Sequence, residues 1–318
     1  MRAIRYDHYG PPEVMHVAEV PTPVPAAGEV LVAVHGAGVG GGEQAIRAGE
    51  LRRLLRGTFP RGVGVDFAGR VAAVGAGVTR TLVGDAVWGI VPHGTFGSSA
   101  EYVAVPQQRV APIPDGLDLV TAAALPSVGT TAIRALVHEA RLAPGARLLV
   151  RGGAGGVGSV AVQLGAALGA HVTALAGAGA LDWVRGLGAA EALDYRDTPP
   201  GALPRFDVVL DLVGTDIPAY RRRLTRGGRY VGLAVDPARP VRSATSAVGN
   251  KLRNPRRYRM FSNDPSPELL ADLTRRVEAG EIRPLVAGRL PLEGVVEAHR
   301  RLEAGGVKGR YVLETGKG

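Results

Sequence analysis

Cysteine is absent from the 318 residues. That removes disulfide frameworks, thiolate zinc sites, iron–sulfur clusters and a cysteine nucleophile together, and leaves His and carboxylates as the only metal ligands of any strength. Lysine is nearly absent too: 3 Lys stand against 35 Arg, so the formal charge of +9 is carried by guanidinium groups. Aromatic residues make up 5% and are not interleaved with the Arg runs. The stacking surface of a nucleic-acid binder is therefore missing, and no nucleic-acid partner is expected. Apolar runs such as Leu148–Val150 and Val208–Leu210 are strand-sized, far short of the ~18 residues of a membrane span. The stretch Met1–Tyr9 carries charges and no apolar core of signal-peptide length. A soluble cytoplasmic protein is expected.

What is present suits a large core: 46% of residues are apolar and 21% charged, with 46 Gly and 23 Pro marking frequent turns. Short β-patterned runs dominate the first ~115 residues: Arg2–Tyr6, Glu29–Ala37, Gly69–Val74, Ala86–Ile90 and Glu101–Val105. Helical spacing begins with the Ala-rich Thr121–Ala140, and after Pro144-Gly145 strands and helices alternate. Strands are predicted at Arg147–Arg151, Val172–Ala176, Phe206–Leu212 and Gly228–Ala234, and helices at Gly158–Gly169, Leu181–Leu187 and Ile217–Leu224. This order specifies a right-handed parallel sheet. Pro237–Pro265 has no clear period and reads as a loop or irregular helix; helices at Glu268–Gly280 and Gly294–Ala304 and a strand at Arg310–Glu314 close the chain. The fold class is α/β.

Directly after the strand Arg147–Arg151 comes Gly152-Gly153-Ala154-Gly155-Gly156-Val157-Gly158, with Gly-x-Gly-x-x-Gly at 153, 155 and 158. Glycine lets the backbone turn tightly and approach a pyrophosphate, whose charge then rests at the positive end of the following helix. At the end of the second strand, where a carboxylate would grip an NAD ribose or a base an NADP phosphate, the chain reads Ala176-Gly177-Ala178-Gly179-Ala180. Nearby Asp182, Arg185 and Arg196 provide two positive charges against one negative, which leans towards NADPH, with NADH as the alternative.

These features, with Tyr9–Val14, Gly28–Val32, Asp66–Gly69, Val83–Val87, Gly97–Val105, Asp207–Gly214, Gly227–Val231, Glu297-Ala298-His299 and Gly309–Leu313, resemble the medium-chain dehydrogenase/reductase superfamily, and most of all its zinc-independent quinone-oxidoreductase or zeta-crystallin-like branch. The resemblance implies a GroES-like β domain (1–119 and 258–318), a Rossmann doubly wound parallel-sheet domain (120–257), an active cleft between them and a homodimer. It puts the cofactor against residues 152–158, Thr131, Tyr195, Arg196, Leu233 and Ala234. Substrate-lining residues by the same resemblance are Tyr6, Glu43, Gln44, Leu51, His93, Tyr258 and Phe261. Zinc-using relatives place a catalytic His where this chain has Val65. The 7 His residues are scattered, so His93, His138 and His299 are expected at the surface or in packing, and no metal is expected.

The chain departs from its relatives in three places. Their Val-Asn-Pro-x-Asp loop, whose Asn points at nicotinamide and substrate, becomes Val39-Gly40-Gly41-Gly42-Glu43, and the Ser and Arg of the adenosine-side turn become Gly177 and Gly179. Glu43 is a candidate general acid if burial raises its pKa, and Gln44 a candidate for orienting a carbonyl. An ion pair between Glu43 and Arg47, one helical turn on, is the competing structural role. Arg47, Arg52, Arg53, Arg56 and Arg61, and a second run of Arg253, Arg256, Arg257 and Arg259, could attract an anionic or carrier-bound substrate. The expectation is a zinc-independent NAD(P)H-dependent reductase of a small conjugated carbonyl (enone, quinone or enoyl type). The alternative is a non-redox cyclase or isomerase with a degenerate cofactor site.

Overall fold

The computed structural model describes residues 1–52, 58–92, 94–233, 257–261 and 264–316. His93, Ala234, Arg53, Arg56, Arg253 and Arg256 lie outside these, as does most of Pro237–Pro265. The chain divides into two compact units, residues 1–130 with 264–318, and residues 131–263.

In the first unit, β1 (Arg2–Tyr6) pairs antiparallel with β2 (Met15–Glu19). The long β3 (Glu29–Val39) leads into α1 (Gly41–Arg47). β4 (Arg61–Gly62), β5 (Asp66–Val74), β6 (Ala86–Ile90), β7 (Tyr102–Pro106) and β8 (Val110–Pro112) follow, then α2 (Leu119–Ala122) and α3 (Pro126–Ile133). The predicted single helix over Thr121–Ala140 is thus interrupted at Pro126. Proline has no amide hydrogen to continue a helix but is accepted at a helix start. The segment ends in a π-helical turn, Arg134–Glu139.

The second unit runs β9 (Arg147–Arg151), α4 (Gly156–Ala167), β10 (His171–Ala176), α5 (Leu181–Gly186), β11 (Glu191–Asp194), β12 (Phe206–Asp211), α6 (Ile217–Arg221), β13 (Leu224–Gly232) and β14 (Tyr258–Met260). Its six strands are ordered β11-β10-β9-β12-β13-β14, and every pairing is parallel. This is the doubly wound order whose topological switch falls between β9 and β12, beside the glycine loop. Leu148, Leu149, Val150, Val208, Val209 and Leu210 are all buried, as expected for parallel strands covered on both faces.

The chain then returns to the first unit through α7 (Pro267–Glu278), β15 (Val286–Pro291), α8 (Val295–Ala304) and β16 (Arg310–Glu314). β16 inserts antiparallel beside β3 in the sheet β15-β16-β3-β5-β6-β8, with β7 also on β3. Ile4, Val32, Val34, Phe67 and Val105 fill this core. The insertion brings residue 310 to the end of β3, where Val39 pairs with Tyr311. Among the described residues no helix is long and apolar enough to cross a membrane.

Candidate functional site

Two regions carry distinctive chemistry, one in each unit. In the second unit β9 ends at Arg151, and Gly152 turns the chain at φ +81°. The amides of Gly152 and Gly153 both donate to Leu175 C=O (3.1 and 2.9 Å), and that of Gly155 to Gly152 C=O (3.1 Å). These bonds fix the loop on the sheet. The first bond of α4 is Ser159 N–H to Gly155 C=O at 2.8 Å, so Gly156, Val157 and Gly158 precede it and have no carbonyl partner within the helix. Gly155 caps α4 without a side chain, leaving that positive end open. A Cβ on Gly158 would lie 2.0 Å from Gly152 O, so only glycine allows helix and loop to approach this closely. The cradle fits a dinucleotide diphosphate.

Beneath the loop, Arg151 pairs with Asp211 and donates to Thr215 C=O at 2.8 Å. Its guanidinium lies 3.6 Å from the centre of the Tyr220 ring. Asp211 also accepts from the Tyr230 hydroxyl and from the amides of Val213 and Gly214. Burial first, then the Asp211 charge, pushes the Tyr230 hydroxyl upward, so it stays a proton-bearing donor. The network ties β9, β12 and β13 together at the loop end of the sheet.

At the turn after β10, a Cβ at Gly177 would stand 3.7 Å from Arg196 Nη1 and 3.8 Å from Tyr195 Cε1. The Arg196 guanidinium lies 4.8 Å from the Tyr195 ring centre, while Arg185 is bound to Asp182 at 2.7 Å. Of the three charges near this turn, Arg196 is the one in no ion pair among the described residues. Thr131 is buried in α3, and the Leu233 amide donates to Asp211 C=O at 3.0 Å.

The second region surrounds Glu43. Gly40 to Gly42 turn the chain from β3 into α1 and point Glu43 inward, 7% exposed. Neither carboxyl oxygen has a hydrogen-bond partner of standard geometry. His299 Nε2, from α8, stands 4.0 Å from Oε2. Asp66 and Arg310 lie close by, already paired with each other, and Asp66 accepts from the Ser127 amide (2.6 Å) and hydroxyl (2.5 Å). Their charges cancel, so an ionised Glu43 would be an uncompensated buried anion. Burial pushes the Glu43 carboxyl up to about 8 from an ordinary 4.5; Arg310 pulls against that and Asp66 reinforces it. Glu43 is therefore a neutral acid near neutral pH.

Arg310 was not legible as a site residue. A Cβ at Gly40 would lie 3.0 Å from Arg310 Nη2 and 3.4 Å from Glu43 Oε1, so a guanidinium and a carboxyl flank the position where relatives carry a side chain. His299 is fully buried, and neither ring nitrogen has a partner. Burial, then the Arg47 charge, lowers it to about 4 from 6.5.

The competing Glu43–Arg47 ion pair does not form. Arg47 is 3% exposed and turns away to Gly10 C=O and Glu303, which also removes it from a surface arginine cluster. Arg257 and Arg259 are likewise engaged, with Gly228 and Thr225 carbonyls and with Glu139. Tyr6 and Glu43 come together around a cavity of about 10 Å³ that also touches Ile46, Arg47, Val63 and Phe96. Gln44 Nε2 is enclosed without a partner, and Leu51 is half-buried outside that lining. Phe261 lies beneath Arg134. Tyr258 is a core residue, stacked on Tyr230 at 5.2 Å with its hydroxyl on Met260 sulfur, because β14 completes the sheet there.

A parallel Rossmann sheet with an open glycine loop, joined to a GroES-like sheet unit, defines a dinucleotide-type oxidoreductase architecture. The family model of alcohol dehydrogenase GroES-like domains matches residues 26–115, and that of zinc-binding dehydrogenases matches residues 187–313. A chloroplastic quinone-oxidoreductase homolog of Spinacia oleracea is 31% identical over 99% of this chain and 98% of its own length. The mitochondrial NAD(P)H oxidoreductase of Danio rerio is 32% identical over 90% of this chain and 83% of its own. The solved quinone oxidoreductase of Coxiella burnetii superposes with a TM-score of 0.90 at 29% identity, covering 99% of both chains. The chain belongs to the medium-chain dehydrogenase/reductase superfamily, among its quinone-oxidoreductase-like oxidoreductases. The zinc of one matching family description finds no fitting donors: there is no cysteine, and among the described residues no three His, Asp or Glu side chains gather as a ligand set.

Proposed function

We propose that this protein is an NADPH-dependent reductase of small conjugated carbonyl compounds, of enone, quinone or enoyl type. The observation that carries the reading is the bare, glycine-lined start of α4, where Gly156, Val157 and Gly158 offer amides to a diphosphate at a helix N-terminus. Arg196, lying on Tyr195 beside Gly177, would supply the charge for a ribose 2′-phosphate and so favours NADPH over NADH. When bound, the nicotinamide supplies a hydride to the electrophilic carbon of the acceptor.

The protein's own part is then positioning and protonation. Glu43, kept protonated by burial, would release its proton to the enolate carbon or oxygen of the reduced product. Gln44, the next residue on α1, would orient a carbonyl. The Asp66–Arg310 pair keeps the rest of the pocket neutral, so that the proton stays on Glu43 until an enolate, a stronger base than a buried carboxylate, is present. Titration with NADPH and NADH, followed by nicotinamide fluorescence, should give tighter binding of NADPH. Oxidation of NADPH should then proceed with a conjugated ketone or quinone and not with its saturated counterpart. Absence of binding at millimolar cofactor would overturn the reading in favour of a non-redox use of the fold.

A further inference from the structure

His299 is 0% exposed, and neither of its two ring nitrogens has a hydrogen-bond partner. Burying two such polar atoms is costly unless something offsets it. A polar group that faces Nε2 is the Glu43 carboxyl at 4.0 Å, about 1 Å beyond hydrogen-bond length, on a side chain whose oxygens also lack a hydrogen-bond partner of standard geometry. We propose that His299 is a positioning residue for proton delivery: its Nε2 takes one edge of the Glu43 carboxyl in a hydrogen bond and supports the carboxylate left each time a proton is delivered.

This rests on the reading of Glu43 as proton donor. The balance is simple. In the resting site Glu43 carries one proton and His299 is neutral. Delivery breaks the Glu43 O–H bond and forms a C–H or O–H bond on the enolate, leaving a carboxylate that accepts the Nε2–H of the neutral imidazole. Solvent then returns the proton to Glu43. Other charged or titratable groups surround the carboxyl: Arg310 from β16 is bound to Asp66 of β5 through Nη1 and lowers the Glu43 carboxyl, Arg47 on α1 is bound to Gly10 and to Glu303 of α8, and Tyr6 from β1 is held protonated by burial.

The test compares His299→Gln, whose amide nitrogen can reach the place of Nε2, with His299→Leu, which keeps bulk and loses the donor. Each would be assayed from pH 5 to 10 with saturating NADPH and a conjugated ketone. The Glu43 carboxylic C=O infrared band, identified by its loss in Glu43→Gln, would be titrated in parallel. In His299→Leu the band and the basic limb of the kcat profile should both move up by about one pH unit, because a hydrogen bond to the charged form has been lost. Turnover should fall about tenfold, and His299→Gln should restore both. An unmoved band and limb in His299→Leu, whatever the change in melting temperature, would reduce His299 to packing and overturn the proposal. Unchanged turnover and pH profile in Glu43→Gln would instead remove Glu43 as donor, a separate failure visible in a separate variant.

Discussion

The loop at the head of α4 and the pocket around Glu43 handle charge in opposite ways. At the loop the chain supplies backbone dipoles and withholds side chains: Gly155 leaves the helix uncapped, and Gly158 removes the one Cβ that would strike Gly152 O. Around Glu43 side chains do the work. Asp66 and Arg310 cancel, His299 is neutral, and the remaining carboxyl keeps its proton. The first arrangement suits a negative charge brought from outside; the second resists forming one inside. The same loss of side chains serves both, since Gly40 leaves room that Arg310 and Glu43 flank.

The contrast breaks most sharply at Gly158. With a Cβ 2.0 Å from Gly152 O, Gly158→Val must push α4 away from the loop, an overpacking that costs about 1–3 kcal/mol or more. NADPH affinity should fall about 100-fold or more, equivalent to ~2.7 kcal/mol, with a lowered melting temperature. The Glu43 carboxylic infrared band should stay in place. Fluorescence titration and thermal melting check the first part; retained NADPH binding would mean that the loop is not the diphosphate site.

These two regions were also unequally legible in the sequence. The loop is local: a strand, seven residues and a helix carry all of it, and β9 has the predicted bounds while α4 begins two residues earlier than predicted. The Glu43 pocket draws on positions 43, 66, 299 and 310, and only the insertion of β16 beside β3 brings them together. Glu43 stood out because an acid replaced a familiar one after three glycines. Arg310 and His299 lay in a C-terminal signature that gave no hint of where they would point. A clue was available in Gly40, since a missing side chain in a closed site leaves room for another group. Strands β2, β4, β8, β11, β14 and β15 escaped notice as well; β4, β8, β11 and β14 are two to four residues long, too short for alternation to rise above turn and helix signals.

The pocket's resistance to charge should be visible in stability. The folded value of Glu43 is raised to about 8 from 4.5, so the folded chain retains a proton that the unfolded chain releases. Its contribution is intact below pH 4.5 and is lost as pH climbs through about 8. His299 acts on the other side: its folded value is lowered to about 4 from 6.5, so stability present above pH 6.5 is lost as pH falls towards 4. Urea unfolding of the native chain and of Glu43→Gln at pH 4.5, 6 and 8.5 should show a difference that shifts towards the variant as pH rises. The shift should be on the order of a few kcal/mol across the window. A difference that does not change with pH would mean that Glu43 is charged in the folded state, and the contrast with the loop would fall.

The smallest expected effect lies at the turn after β10, where the proposed reading gives a charged side chain a role. Arg196 is exposed and rests on Tyr195, so Arg196→Ala should leave stability nearly unchanged and weaken NADPH binding about tenfold, the effect of one charge-assisted contact with phosphate. NADH binding should not move. Because the group is open to solvent, added salt should shrink the NADPH advantage of the native chain towards that of the variant. Gly177→Ser adds a Cβ whose nearest neighbours are 3.7 and 3.8 Å away, ordinary contact distances, so it should be tolerated and add a hydroxyl beside Arg196. A gain of a few-fold in NADPH affinity that disappears in the double variant with Arg196→Ala would mean that the two groups bind one phosphate. Equal gains with and without Arg196 would place the added hydroxyl on the ribose instead, and return cofactor choice to the backbone alone.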